Sequence, residues 1–212
     1  MTNRLVSRFL VCLVATVGWS AVTLVPAKAD VFTLPHFVHP GDWAVGVQPE
    51  ITLSNGAGLG TDIHFQYGLN DLSNVKVRLG TGASYRHFRY GVAGTLDFFP
   101  DIQGQPGIGI GAAADYVNLY TGGGQLELKA IPYIHKTLFV NTSGKGGQND
   151  EIEPYLAVPV GVAFNSGTYS GLSQVVVGSF FKSSEHFRFN LEMGIAINNT
   201  TSFISGGVAY YY

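Results

Sequence analysis

The residues of this chain that could do chemistry are acidic and basic side chains that recur at every second position within apolar segments. Acids and bases occur in similar numbers on this polar face. Ion pairs between these acids and bases would stabilise them away from water, because an arginine donates several hydrogen bonds to a carboxylate at once. The same groups could instead line a path for a small solute or ion. The set comprises Glu50, Asp62, His64, Lys76, Arg78, Arg89, Asp97, Asp115, Glu127, Lys129, Glu153, Arg188 and Glu192, joined by His135.

Motifs that suggest catalysis or cofactor binding lack the context that such chemistry needs. His36 and His39 form a pair with metal-ligand spacing, but the flanking prolines oppose a helix that would give the two imidazoles a shared face. The glycines at 107, 109 and 111 lie within a strand and open no helix, so they do not form a dinucleotide loop. We therefore expect no metal, no cofactor and no enzyme. The outer turns, which we expect to join consecutive segments on the side that faces away from the cell, contain chiefly Asn, Gly, Ser and Thr, together with Tyr85 and Arg86.

The segments that carry the polar face alternate apolar and polar residues with the period of a β-strand. In the first segment, the odd positions from Trp43 to Leu53 are apolar, whereas Gln48 and Glu50 are polar. The pattern predicts ten strands, with eight or twelve as alternatives, and each is long enough to cross a membrane when tilted. They cover about residues 43–53, 59–69, a third segment that includes 75–80, and then 88–98, 107–120, 125–138, 153–164, 171–182 and 187–197, followed by the terminal strand.

Composition restricts the class of protein. The chain has 28 Gly, 13% aromatic residues and 12% charged residues, which is too apolar for a disordered chain. Beyond residue 29 no apolar run reaches the length of a membrane helix, so a closed barrel is the structure that could span a bilayer. The 12 basic and 14 acidic residues give no basic excess, which argues against nucleic-acid binding. We predict an all-β protein, a transmembrane antiparallel up-and-down β-barrel over residues 43–212.

The N-terminal residues have the pattern of a secretory signal peptide. Arg4 and Arg8 precede an apolar run, and Ala27 and Ala29 form a small-x-small cleavage site. We expect residues 1–29 to be removed and residues 30–42 to form a periplasmic segment before the barrel. Cys12 would leave with the signal peptide, so the mature chain would have no thiol.

The C-terminal residues resemble the insertion signal of bacterial outer-membrane β-barrel proteins. That signal places a polar residue, a glycine and two aromatic residues at the spacing of Ser205, Gly207, Tyr210 and Tyr212. The resemblance covers nearly all of residues 43–212 through the strand pattern. It implies the outer membrane of a Gram-negative bacterium, with both termini in the periplasm. Its implied partners are outer-membrane lipid and, during biogenesis, the barrel-assembly machinery.

Two functions remain open at this stage, because one barrel architecture serves many purposes. One is a closed barrel with a structural or surface-contact role, and the other is a porin-like channel or a barrel that binds a small solute. The balanced charges favour the closed barrel, whereas the inward glycines favour open space. Those glycines are Gly46, Gly60, Gly80, Gly91, Gly109, Gly111 and Gly161.

Overall fold

The computed structural model of the protein describes residues 38–54, 57–83, 86–102, 104–120, 122–140 and 150–212. Within these ranges the chain forms one sheet of twelve β-strands in which neighbouring strands are antiparallel. The sheet closes on itself because β1 pairs with both β2 and β12. None of the described residues forms a helix long and apolar enough to cross a membrane.

The strands follow the order of the sequence around the barrel. Their bounds are β1 Trp43–Thr52, β2 Gly58–Asn70, β3 Ser73–Gly82, β4 Arg86–Phe99, β5 Gly107–Leu119, β6 Gly124–His135, β7 Leu138–Val140, β8 Asp150–Ala157, β9 Val160–Asn165, β10 Thr168–Lys182, β11 Phe187–Asn198 and β12 Phe203–Tyr211. The predicted signal peptide, its cleavage site at Ala27 and Ala29, His36, Tyr85 and residues 141–149 lie outside the described residues.

Two pairs of these strands, β6 with β7 and β8 with β9, are each a single interrupted segment that runs the height of the barrel wall. Strands β6 and β7 both pair with β8, one after the other, and β8 and β9 keep one register against both β6 and β10. The twelve strands therefore form ten crossing segments, which confirms the predicted ten-stranded up-and-down barrel. Between β9 and β10 the turn consists of Ser166 and Gly167, both with positive φ, as a tight hairpin turn requires.

The alternation in the sequence separates the two faces of the wall. In β1, Gln48 and Glu50 are buried while Val47 and Ile51 are exposed, and the same pattern runs through the other long strands. The exposed residues are largely aliphatic and aromatic, and β-branched and aromatic side chains also favour strands. The barrel is thus apolar outside and polar inside, which is the reverse of a soluble protein.

Prolines lie within two strands of the barrel wall. Because a proline cannot donate to a strand ladder, it is usually confined to edge strands, bulges and strand ends. Pro49 and Pro132 nevertheless lie within β1 and β6 without any shift of register. Pro159 lies at the interruption between β8 and β9, where its carbonyl still accepts a hydrogen bond from Gln174 N at 3.1 Å. Each proline leaves the ladder intact on the side where its missing N–H is not needed.

The two ends of the barrel carry aromatic residues. We call the end with Trp43 and Tyr211 the terminal end, and the end with Thr52 and Phe203 the far end. At the terminal end Trp43 stacks on Tyr212, with ring centroids 5.0 Å apart. Near the far end Tyr90 stacks on Tyr116 at 5.3 Å. Aromatic rings at both ends of an apolar band are typical of barrels that cross a membrane.

Residues 38–42 fold back against the terminal end. The backbone N–H of Val38 donates to Asn74 Oδ1 at 2.8 Å, and Gly41 N–H donates to Gly68 O at 3.0 Å. Val38 is buried by this contact, and Asn74 belongs to the inner face of β3. The segment therefore covers part of the opening on the side of β2 and β3.

Candidate functional site

The charged interior is the candidate site, and its densest part lies toward the far end. Glu50 is held by Arg86 at 2.6 Å and by both terminal nitrogens of Arg89, at 3.1 and 2.6 Å. The guanidinium of Arg89 also bonds both oxygens of Asp62, with Nε 2.8 Å from Oδ1. Two arginines and two carboxylates thus form one charge-balanced group from β1, β2 and β4.

A second group is centred on Asp115 of β5. Arg78 grips this carboxylate with Nε at 2.9 Å and a terminal nitrogen at 2.7 Å, the bidentate geometry that makes such pairs strong. Lys129 lies 3.2 Å from Asp115 and 2.7 Å from Glu127, so it links the two acids. Gln125 donates to Glu127 at 2.6 Å.

Glu192 of β11 is the centre of a third group, made mostly of uncharged donors. Gln48 Nε2 donates to Glu192 at 2.7 Å and to Ser205 Oγ at 2.8 Å, and Tyr155 donates its hydroxyl to the other oxygen of Glu192. The ring of Tyr155 stacks on Phe180 at 5.4 Å. The middle of the barrel is therefore filled by stacked aromatic rings and by hydrogen-bonded polar side chains.

His135 joins two carboxylates near the terminal end. Its Nε2 lies 3.0 Å from Asp97 and its Nδ1 lies 2.8 Å from Glu153, while Tyr133 donates to Asp97 at 2.7 Å. Both ring nitrogens are thus engaged by acids from β4 and β8. The arrangement fixes the imidazole between strands.

Arg188 and Lys182 lie at the opening of the terminal end, where Glu151 approaches both at 3.4 and 3.5 Å. The guanidinium of Arg188 also lies over the ring of Tyr211, 4.9 Å from its centroid. These side chains are less buried than the rest of the set. His64 and Lys76, the remaining members of the predicted set, lie deeper, on the inner faces of β2 and β3.

Burial of the charges is nearly complete away from the terminal opening. Arg86 and Glu127 have no exposed surface, and Arg89, Glu50 and Glu192 are each 1% exposed. A charge removed from water to this degree is tolerated when partners replace its hydration. The strongly buried arginines above each have at least one carboxylate partner, which supplies that replacement.

A glycine separates donor and acceptor in four of these contacts. Each set of three residues lies in one row across three neighbouring strands, with the glycine paired in register to both of the others. The donor reaches over the glycine to the acid. The rows are Arg89, Gly80 and Asp62; Arg78, Gly91 and Asp115; Tyr133, Gly109 and Asp97; and Tyr155, Gly178 and Glu192.

The inward glycines therefore do not provide open space, contrary to the expectation from the sequence. A Cβ atom at any of the seven predicted inward glycines would come within 3.2 Å of a neighbouring heavy atom. At Gly46 that neighbour is the ring of His64, and at Gly91 it is the carboxylate of Asp115. At five of the seven glycines a side chain from the adjacent strand fills the space that the missing side chain leaves, as when an aromatic ring covers a strand glycine. At Gly111 and Gly161 the nearest atom is instead a backbone carbonyl oxygen.

Arg86 is a fully buried charged residue that the sequence pattern did not place in the interior. It was assigned to an outer turn, but it begins β4 and its side chain is fully buried against Glu50. A shift of register between Arg86 and Phe88 places Arg86 and Arg89 on the same face, although an odd spacing predicts opposite faces. A basic residue followed by the broken alternation of His87 and Phe88 was the available signal.

The connection between β11 and β12 folds over the far end. Gln174 Nε2 donates to the carbonyl of Thr201 at 2.7 Å, and Thr200 donates its hydroxyl to Ser173 O at 2.9 Å. Thr201 and Phe203 have no exposed surface. An interior glutamine therefore anchors a loop that covers this opening.

The four residues that resemble an insertion signal have different surroundings in β12. Ser205 faces the interior near Gln48 and Glu192, and Gly207 is paired with Asn190. Tyr210 is on the outer face beside Phe187, and Tyr212 follows the last strand. Their part in insertion remains a prediction.

Solved structures similar to this chain include outer-membrane proteins and a designed transmembrane barrel. An outer-membrane channel of Pseudomonas putida F1 is 7% identical with a TM-score of 0.48, over 90% of this chain and all of that one. A bacterial polysaccharide outer-membrane secretin is 10% identical with a TM-score of 0.46, over 81% and 65% of the chains. A de novo designed transmembrane β-barrel is 15% identical with a TM-score of 0.40, over 84% and 100%. No protein-family model and no curated protein sequence matches the chain.

The assignment of the fold rests on the strand pairing of this chain and on the polarity of its two faces. Its closed antiparallel sheet, apolar exterior and polar interior define a membrane β-barrel.

Proposed function

We propose that this chain is an integral outer-membrane β-barrel whose lumen is plugged by its own paired side chains. It acts as a structural element of the membrane or through contacts at its surfaces, and it does not act as an open pore. The observation that carries the proposal is the burial of the interior charges, of which Arg86, Arg89, Glu50 and Glu127 are the clearest cases.

An open, water-filled lumen would leave charged side chains accessible to solvent. A pore that selects ions works by rings of charged groups that permeating ions can approach. In this barrel each of those four residues is at most 1% exposed, and carboxylates face guanidinium or ammonium groups across the interior. Residues 38–42 at the terminal end and the β11–β12 connection at the far end add cover at both openings.

The placement in the outer membrane of a Gram-negative bacterium rests on three supports. The exterior is an apolar band with aromatic residues at both ends, the N-terminal residues have the pattern of a secretory signal peptide, and the C-terminal residues resemble an outer-membrane insertion signal. Outer-membrane lipid and the barrel-assembly machinery are then the partners of the chain.

Planar-bilayer recording on the purified mature protein tests the proposal. Insertion is established first in vesicles, by flotation with lipid and by faster migration of unboiled than of boiled protein on gels. The inserted wild type should give no stepwise conductance. An inserted protein that opens in regular steps, with an ion preference altered by Lys129→Gln, would show that the interior charges line a path.

A further inference from the structure

A small cavity lies inside the barrel near the terminal end, between β2 and β3 on one side and β10, β11 and β12 on the other. Its polar wall consists of His64, Gln66, Lys76, Arg188, Asn190 and Tyr211. None of the described residues that line it is acidic. The space open to the centre of a water molecule is about 10 Å³, so the cavity has room for one water molecule.

Three polar side chains of this wall have buried atoms without a hydrogen-bond partner in the protein. They are Gln66 Nε2, Asn190 Nδ2 and His64 Nδ1. Gln66 is 3% exposed and His64 is 8% exposed. The amide nitrogens of Gln66 and Asn190 can only donate, so whatever satisfies them must accept hydrogen bonds. Buried donors in native proteins are almost always satisfied, which points to an occupant of the cavity.

The charges of the wall add a preference for a negative occupant. Lys76 and Arg188 both line the cavity and contribute positive charge from opposite sides of the barrel. The ammonium group of Lys76 is attracted electrostatically by Glu192, Asp62 and Asp115. Glu151 lies 3.4 Å from Arg188. These four acids are outside the cavity wall, so the wall itself presents donors and cations.

We propose that this cavity is a binding site for one monoatomic anion of the size of chloride. The donors of Gln66 and Asn190 bond the ion, and Lys76 and Arg188 balance its charge. The small size of the cavity favours a single-atom anion over a carboxylate or a phosphate. The ion enters from the terminal end, where Arg188 lies near the start of β11 and Tyr211 near the end of β12. The proposal does not depend on whether the lumen conducts.

Thermal unfolding of the detergent-folded protein measures binding, because a ligand that binds only the folded state raises the unfolding midpoint. We expect a midpoint that rises with sodium chloride or sodium bromide and saturates, relative to sodium gluconate at the same ionic strength. Asn190→Asp brings a carboxylate into the cavity in place of the ion. This variant should fold and lose the halide-dependent rise. The matched control Asn118→Asp alters an exposed residue near the far end and should keep the rise.

Crystals soaked in sodium bromide give a test on the wild type, which needs no variant to fold. Anomalous scattering at the bromine edge should show a peak between Gln66 and Asn190. If Asn190→Asp fails to fold, Gln66→Met should weaken the apparent halide affinity about tenfold or more. A cavity that holds water with no bromine peak would overturn the proposal, as would equal midpoints in chloride and gluconate or an unchanged halide effect in a folded Asn190→Asp variant.

Discussion

The phenol ring of Tyr155 lies over Gly178 of the neighbouring strand, and its hydroxyl donates to Glu192 one strand further on. The register of the sheet pairs Gly178 with both of the other residues. Because the glycine has no side chain, the ring can lie over it on the inner face of the barrel and reach an acid two strands away. Because the row repeats with Tyr133, Arg78 and Arg89 as donors, the interior network depends on where glycines lie as much as on where charges lie.

The first prediction is that Gly178→Ala destabilises the barrel although it adds a single methyl group. The new Cβ would collide with the ring of Tyr155 and displace it from Glu192. Overpacking of this kind costs about 1–3 kcal/mol. Urea unfolding of vesicle-inserted protein gives the free energy of unfolding. In the control Gly206→Ala, the new methyl has no neighbour nearer than 3.6 Å and should change little. Equal stability of the two variants would mean that the glycine rows do not constrain the interior.

The barrel and its strand number were predictable because two faces in different solvents impose a strict period of two. Val47 and Ile51 face outward while Gln48 and Glu50 face inward, and an error of one residue would reverse both. The strand bounds predicted for β1 and β11 differ from those of the structure by one residue at one end. Local alternation is sufficient to predict such elements.

The filling of the interior was less predictable, because it depends on pairs of strands rather than on single strands. Alternation assigns Gly109 to the interior but does not reveal that Tyr133, directly across from it, covers it. Parity likewise fails at Arg86, where the bulge before Phe88 turns the side chain inward. Register between strands, which a single sequence does not specify, decides both cases.

The second prediction concerns the depth of a charge on the outer face. Val47 lies in the middle of β1, so Val47→Arg places a guanidinium in the hydrocarbon and should cost about 2–4 kcal/mol. Leu53 follows the last residue of β1, so Leu53→Arg should cost about 0–1 kcal/mol. Urea unfolding in vesicles of one lipid composition compares the two. Equal costs would contradict a membrane-spanning position of β1.

The third prediction is that the C-terminal tyrosines are needed for assembly. The backbone N–H of Tyr212 donates to the carbonyl of Trp43 at 2.9 Å, and the Tyr212 ring stacks on the Trp43 ring. Tyr212 therefore closes the seam between β1 and β12. Deletion of Tyr210 to Tyr212 should sharply reduce the amount of heat-modifiable barrel in cell membranes. Tyr169→Ala, which removes an exposed ring near the far end, should leave that amount nearly unchanged. Normal assembly of the truncated chain would contradict the insertion signal.

The fourth prediction concerns acid sensitivity of the connection between β4 and β5. Burial alone would raise the pKa of Asp101, but hydrogen bonds from Lys136 Nζ and the backbone N–H of Thr137 outweigh it and hold the pKa below its usual value. A carboxyl whose pKa is lowered by folding stabilises the folded state above its unfolded pKa and loses that contribution as the pH falls through the folded value.

We therefore expect Asp101→Asn to lower stability at neutral pH and to have little effect at a pH below the folded pKa. The measurement is the free energy of unfolding as a function of pH for both proteins. In Lys136→Met the carboxyl loses its cationic partner, so the same pH dependence should become shallower. Parallel pH profiles for wild type and Asp101→Asn would exclude a stabilising role of this carboxylate.

The last prediction separates the paired interior from a set of independent charges. Arg89→Ala removes the partner that Glu50 and Asp62 share, and breaking a buried ion pair costs about 3–5 kcal/mol. The double variant Arg89→Ala with Asp62→Asn should recover much of this loss. The second change removes one unpaired charge, and Glu50 keeps Arg86 at 2.6 Å. Urea unfolding in vesicles, with the folded fraction read from unboiled gels, measures both variants.

The matched control for this experiment is Lys182→Ala, which breaks an ion pair at the terminal opening. Lys182 lies 3.5 Å from Glu151 and is about one third exposed, so its removal should cost about 0–1 kcal/mol. Solvent can replace Lys182 as a partner of Glu151, whereas it has little access to Asp62 and Glu50 behind Arg89. If the double variant were as unstable as Arg89→Ala, the loss would come from missing packing of the arginine side chain. The carboxylates would then be stable without their partner, and the charge-paired plug would be excluded.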